Sequence, residues 1–167
     1  MGDKPFPTND PPGPQLRLMA LTTPPDQLHV APDDEFPYAY GVLVDWPLGS
    51  GVASILAERD GTASLYTTAQ FGIIGGHGHE PVRAAARKCV TVAGACVEGS
   101  EQMSEFPLPS GDQVYFYLLT YWGVWRRTGS MDAICQQTDP MTPLFAAAQN
   151  VLTQLRLVIE AQDAAHP

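Results

Sequence analysis

Residues 62–97, TASLYTTAQFGIIGGHGHEPVRAAARKCVTVAGACV, read in order as a strand, a glycine-rich turn and a long amphipathic helix, and that succession decides the fold. The helix is expected to open at Pro81, whose missing amide proton costs nothing in a first turn that has no intrahelical acceptor for it. Glu80 then sits near the positive end of the helix dipole. Val82, Ala85, Ala86, Cys89, Ala93, Cys96 and Val97 recur at the three-and-four spacing of one buried stripe, which leaves Arg83, Arg87 and Thr91 facing away. Gly94 falls inside the stripe, where glycine costs a helix roughly 1 kcal/mol relative to alanine, so close packing is expected at that level. Gly99 is the expected end.

Upstream, the texture from Tyr38 is that of strands: YAYGVLVD, then VASILAE from Val52, then TASLYTT from Thr62. Asp60-Gly61 between Arg59 and Thr62 reads as a two-residue hairpin turn with positive φ at both positions. Trp46-Pro47, followed by Leu48, Gly49, Ser50 and Gly51, closes the first strand with a longer turn, which makes a three-strand antiparallel meander. Downstream, residues 99–112 read as a polar surface loop. QVYFYLLTY from Gln113 is apolar on both faces and so reads as a central strand, and Gly123 turns it into a shorter fifth strand at Val124, Trp125 and Arg126. Thr142-Pro143 starts the last helix, which is expected to run to about Gln162. Leu144, Phe145, Ala148, Leu152, Leu155 and Ile159 form its stripe, with Val151 and Val158 on the margin of an arc broader than one packing face requires.

The predicted fold class is therefore α+β: a single antiparallel sheet of about five strands, built as a three-strand meander, a long helix, a hairpin and a C-terminal helix, with helices packed on it. A chain of 167 residues with 44% hydrophobic and 16% charged residues has enough apolar material for one core without disulfides. Residues 1–37 hold nine of the 16 prolines and six of the 18 acids, a composition that cannot sustain a continuous helix or sheet, so this segment is expected to be partly disordered, its first fourteen residues above all. The run LRLMAL, residues 16–21, is its exception and reads as a one- or two-turn helix or an edge strand, with the helix favoured, whereas Asp33, Asp34 and Glu35 read as a solvated acidic loop. Residues 38–162 make the domain and 163–167 a tail.

A net charge of −9 argues against nucleic acid and anionic membrane surfaces as partners. With no run of eighteen apolar residues and no apolar core in MGDKPFPTND, a cytoplasmic location is expected. Cys89 and Cys96, seven residues apart on one helix, are about 10 Å apart along its axis and out of disulfide reach. They read as core thiols, and Cys135 has no motif around it.

Chemistry is concentrated in the turn from Gly72 to Glu80. Its glycines precede a helix N-terminus, where backbone amides can cradle an anion, and Gly75, Gly76, His77, Gly78 and His79 are the candidate ligand-binding residues. The pattern matches neither a P-loop nor a dinucleotide fingerprint. His77 and His79 share one side of an extended segment, but no third ligand stands at metal-binding spacing, so neither a metal site nor a cofactor is expected. No Gly-x-Ser-x-Gly elbow is present, and no catalytic residue is assigned. Five of the nine basic residues, Arg83, Arg87, Lys88, Arg126 and Arg127, allow a local positive patch or a helix face paired with nearby acids. Tyr115, Tyr117, Tyr121, Trp122 and Trp125 crowd one hairpin, where most are expected to be core.

The order of elements over residues 38–160, together with the Asp60-Gly61 hairpin, resembles the roadblock, longin and profilin-like group. It departs from roadblock domains by placing three strands before the central helix where they have two. The resemblance implies a five-stranded antiparallel sheet flanked by helices, acting as a dimerising adaptor platform, often for small GTPases, with no chemistry of its own. The expected function is thus a non-enzymatic protein-interaction module, an adaptor or regulatory domain or an immunity protein that neutralises a toxin. Its partner-binding candidates are Arg83, Arg87, Trp122, Trp125, Val151 and Val158, and it implies a homodimer through the last helix. The alternative is an enzyme or small-ligand sensor centred on residues 72–80.

Overall fold

The computed structural model describes residues 12–68, 72–74 and 78–165. One antiparallel sheet of seven strands runs in the order β4-β3-β2-β1-β6-β7-β5. Its longer strands are β1 (Ala39–Leu48), β2 (Gly51–Glu58), β3 (Ala63–Thr67), β6 (Gln113–Thr120) and β7 (Gly123–Ser130). These are the meander and hairpin that the sequence predicts. Three-residue strands, β4 (Gly72–Ile74) and β5 (Glu101–Met103), add one row to either edge, the second of them within the stretch read as loop. The helices are α1 (Pro12–Thr22), α2 (Glu80–Gly94), α3 (Met131–Cys135) and α4 (Thr142–Ala165), and among the described residues none is long and apolar enough to cross a membrane.

The turns differ in detail from their reading. β1 does not close at Trp46-Pro47 but continues to Leu48, which pairs with Gly51 around a two-residue turn with Gly49 at φ 59°. Proline is tolerated there because β6 accompanies β1 only as far as Asp45, so Pro47 has a single neighbouring strand. The next hairpin has a three-residue loop, 59–61. The Gly61 N–H donates to the Glu58 carbonyl and the Glu58 N–H to the Thr62 carbonyl, both at 2.9 Å, and Gly61 alone takes positive φ, at 93°. This is a type I turn closed by a glycine bulge, which leaves Asp60 in ordinary backbone space. A Cβ on Gly61 would also come within 2.5 Å of Cγ of Arg83, so the loop lies directly on α2.

Alternation along the strands builds two cores. Val42, Val44, Ile55, Phe116 and Leu118 point to one face and meet α2 and α4 there. Leu43, Leu56, Tyr66, Tyr117 and Leu119 point to the other and gather with Leu21 of α1. The sheet is therefore the middle of three layers, which explains why QVYFYLLTY is apolar on both faces. α1 reaches back beyond LRLMAL to Pro12. Gly13 is buried against the backbone of Thr67 so closely that a Cβ has no room, so the chain is docked at Gly13 rather than part of a loose arm there.

Both long helices also shift from their expected registers. α2 ends at Gly94, not Gly99, because a residue this poor at holding a helix is its last rather than an interior one. A Cβ at Gly94 would meet nothing within 4 Å, so the close packing expected there is absent. Gly99, at φ 80°, serves the turn into β5 instead. On α4 the buried stripe is Leu144, Ala148, Val151 and Leu155, so Val151, expected on the margin, is wholly buried at the centre of the packing face, and Val158 is half-buried beside it. α3, absent from the sequence reading, is capped by Ser130, whose hydroxyl accepts the Ala133 N–H at 3.3 Å.

Candidate functional site

Before β1 the chain passes through a turn that charged side chains hold in place. Oδ1 of Asp33 accepts the N–H of Phe36 at 2.7 Å and that of Glu35 at 3.1 Å. Phe36 is thereby driven inward, and its ring lies under two guanidinium groups, Arg59 at 5.2 Å and Arg87 at 5.0 Å. Arg59 is paired with Asp33 and donates to the Ala31 carbonyl and the Tyr121 hydroxyl, both at 2.7 Å. Arg87 is paired with Glu35 and donates to the Arg59 carbonyl at 2.7 Å, while the Tyr121 hydroxyl donates to the Phe36 carbonyl at 2.8 Å. The Phe36 amide, with Arg59 adding to it, holds the Asp33 carboxyl below the usual carboxylate range.

This braced turn faces the C-terminal end of α2 across a groove. Two adjoining hollows, of about 320 and 410 Å³, share Tyr38, Gly94 and Ala95. Helix backbone at Gly94 lines the groove, open because no side chain fills the space there, together with Tyr38 and Val97. Asp34, Glu35 and Glu98 line it, and among the described residues no lysine or arginine does. The carboxylates of Asp34 and Glu98 have no ion-pair partner among the described residues, and the last turn of α2 carries no basic residue to offset its negative end. Tyr38 is 55% exposed, and Trp122, in the β6-β7 turn, is 63% exposed. Because Ala39 pairs with Thr120, these two rings stand at the same end of the sheet.

The residues singled out from sequence are distributed differently. Gly75, Gly76 and His77 lie outside the described residues. Gly78 and His79 are exposed where α2 begins, and His79 precedes the helix in extended backbone without a side-chain cap bond. The basic residues do not pool into a patch. Arg83 is paired with Glu80 and Arg87 with Glu35, Arg126 lies 4.1 Å over the Tyr115 ring, and Arg127 donates to the Glu98 carbonyl at 2.7 Å. Trp125 and Val158 pack half-buried on the α2/α4 side and Val151 is core, so of the six partner-binding candidates only Trp122 presents a large exposed apolar surface. Tyr38 and Glu98 went unread because they are sixty residues apart in sequence. The signal for the turn was present in Asp33-Asp34-Glu35-Phe36-Pro37, where an aromatic ring inside an acidic run has to be buried by something cationic.

On the opposite face of the sheet lies a buried ion pair. Nε of Arg17 lies 3.1 Å from both Asp45 oxygens, and its Nη2 lies 2.5 Å from Oδ2. Ser54 also donates to Asp45, and Nη1 of Arg17 donates to the Phe106 carbonyl at 3.0 Å. Burial pushes the Asp45 carboxyl up against the downward pull of Arg17 and Ser54. Farther along β2, burial and then the charge of Asp60 push Glu58 up to about 7. Burial likewise raises Cys89 to about 12, whereas Cys135 is exposed. Compared with known proteins, the chain matches no family model, no curated protein and no solved structure.

Proposed function

We propose that the protein is a non-enzymatic interaction module that recognises a protein partner with the end of the sheet carrying Tyr38 and Trp122. The observation that carries this reading is the pair of exposed aromatic rings beside an open groove, on backbone immobilised by Arg59, Arg87 and Tyr121. Rigid aromatic anchors bury much surface at little entropic cost, and binding energy at interfaces concentrates on such residues. Arg59 and Arg87 are spent on holding this turn. An α+β domain with one antiparallel sheet is also compatible with a longin-like architecture. Self-association, the other assembly that the resemblance implies, would draw on exposed Leu157 and half-buried Val158 of α4, because Val151 is not accessible.

Affinity capture with the wild type and with the Tyr38→Ala/Trp122→Ala variant, run in parallel, tests the reading. A partner retained by the first and lost by the second, with unchanged circular dichroism, supports it. Equal retention by both places recognition elsewhere and rejects it.

A further inference from the structure

Building on that reading, we propose that the groove at the end of α2 receives an arginine side chain from the partner protein. Its charge is one-sided: among the described residues Asp34 and Glu98 have no ion-pair partner, Glu35 is shared with Arg87, and the helix end adds its own negative potential. Arg127 reaches the Glu98 carbonyl but does not line the groove. At Gly94 a Cβ would meet nothing within 4 Å, so an incoming side chain finds open space against the helix.

Arginine rather than lysine is favoured by the aromatic wall. The fold sets a guanidinium over an aromatic ring four times, Arg17 on Tyr117, Arg59 and Arg87 on Phe36, and Arg126 on Tyr115, at 4.1 to 5.5 Å. Tyr38 is exposed, lines the groove and has no such cation among the described residues. A planar guanidinium stacks on that ring while its N–H groups turn to carboxylates on the rim, a division of labour that a compact ammonium cannot perform. The bracing of residues 33–36 means that no loop has to be ordered when the groove fills.

The probe is an acetylated, amidated glycine-serine heptapeptide with one central arginine, titrated into ¹⁵N-labelled protein. An otherwise identical peptide with citrulline supplies the same shape without the charge. Shifts confined to the amides of Tyr38, Gly94, Ala95 and Glu98, absent with citrulline and weakened about fivefold by Asp34→Asn/Glu98→Gln, are the expected result. Equal shifts with citrulline, shifts scattered over the acidic surface, no shifts, or an unchanged affinity in the double variant would each overturn the proposal. The capture experiment separates this from the broader reading. A partner lost with Tyr38→Ala/Trp122→Ala but kept by Asp34→Asn/Glu98→Gln leaves the interaction module standing and removes the arginine.

Discussion

The two faces of the sheet are closed by different physics. Under α2 and α4 the contact is almost wholly apolar, with Val42, Val44, Phe116 and Leu118 facing Leu144, Ala148, Val151 and Leu155. Under α1 the helix is short, and beside its apolar contact at Leu21 the layer is held by a charge pair and a group of tyrosines. The first face tolerates small errors of packing, since any apolar side chain of about the right volume serves. The second works only when every polar group finds its partner, because a buried charge left alone costs several kcal/mol. One face is thus a matter of quantity and the other of correct pairing.

Three substitutions probe that contrast. The largest effect is expected from Val151→Glu, which places a carboxylate at the centre of the apolar face, where Val151 is wholly buried. It should cost about 5 kcal/mol and leave an unfolded chain by circular dichroism. A folded monomer would show that α4 can swing its flank outward, and the apolar face would then be less closed than described. Next comes Arg17→Met, which orphans Asp45 and should cost about 3 to 5 kcal/mol in urea unfolding, whereas Arg17→Met/Asp45→Leu should recover most of the loss. If the double variant is as unstable as the single one, the pairing account of the second face fails.

The smallest effect concerns Glu58 on the same face. Its folded pKa, about 7, lies above its ordinary value of 4.5, so the folded state holds the proton more tightly than the unfolded one. Its favourable contribution is complete below pH 4.5 and is lost as pH rises through 7. Glu58→Gln should therefore match the wild type near pH 4.5 and exceed it by on the order of 2 kcal/mol at pH 8. A difference between the two proteins that does not grow with pH would place Glu58 in contact with water.

These unequal faces also set what could be read in advance. The apolar one announces itself by period: the stripes of α2 and α4 and the strands facing them were visible, though Val151 was misplaced because counting apolar residues defines an arc without its centre. The paired face has no period. Arg17 interrupts LRLMAL and reads as a surface charge until Asp45, 28 residues away, is brought beside it. β7 extends past Arg126 through Arg127, Gly129 and Ser130, residues that do not look like a strand, because pairing with β6 along its whole length overrides their composition. The candidate groove was hidden for the same reason, its carboxylates and ring being assembled from the approach to β1 and the exit from α2.

The short outer strands carry a consequence of their own. An antiparallel sheet this wide presents two rows of unsatisfied backbone groups to solution, each a template on which another chain can add and begin a fibril. On the β7 side the outermost strand, β5, is only three residues long, and its Glu101 and Gln102 are exposed. A neighbouring molecule meets there a short, charged template for cross-β growth. The sheet can therefore grow wide and apolar in its interior while offering little for ordered aggregation at β5.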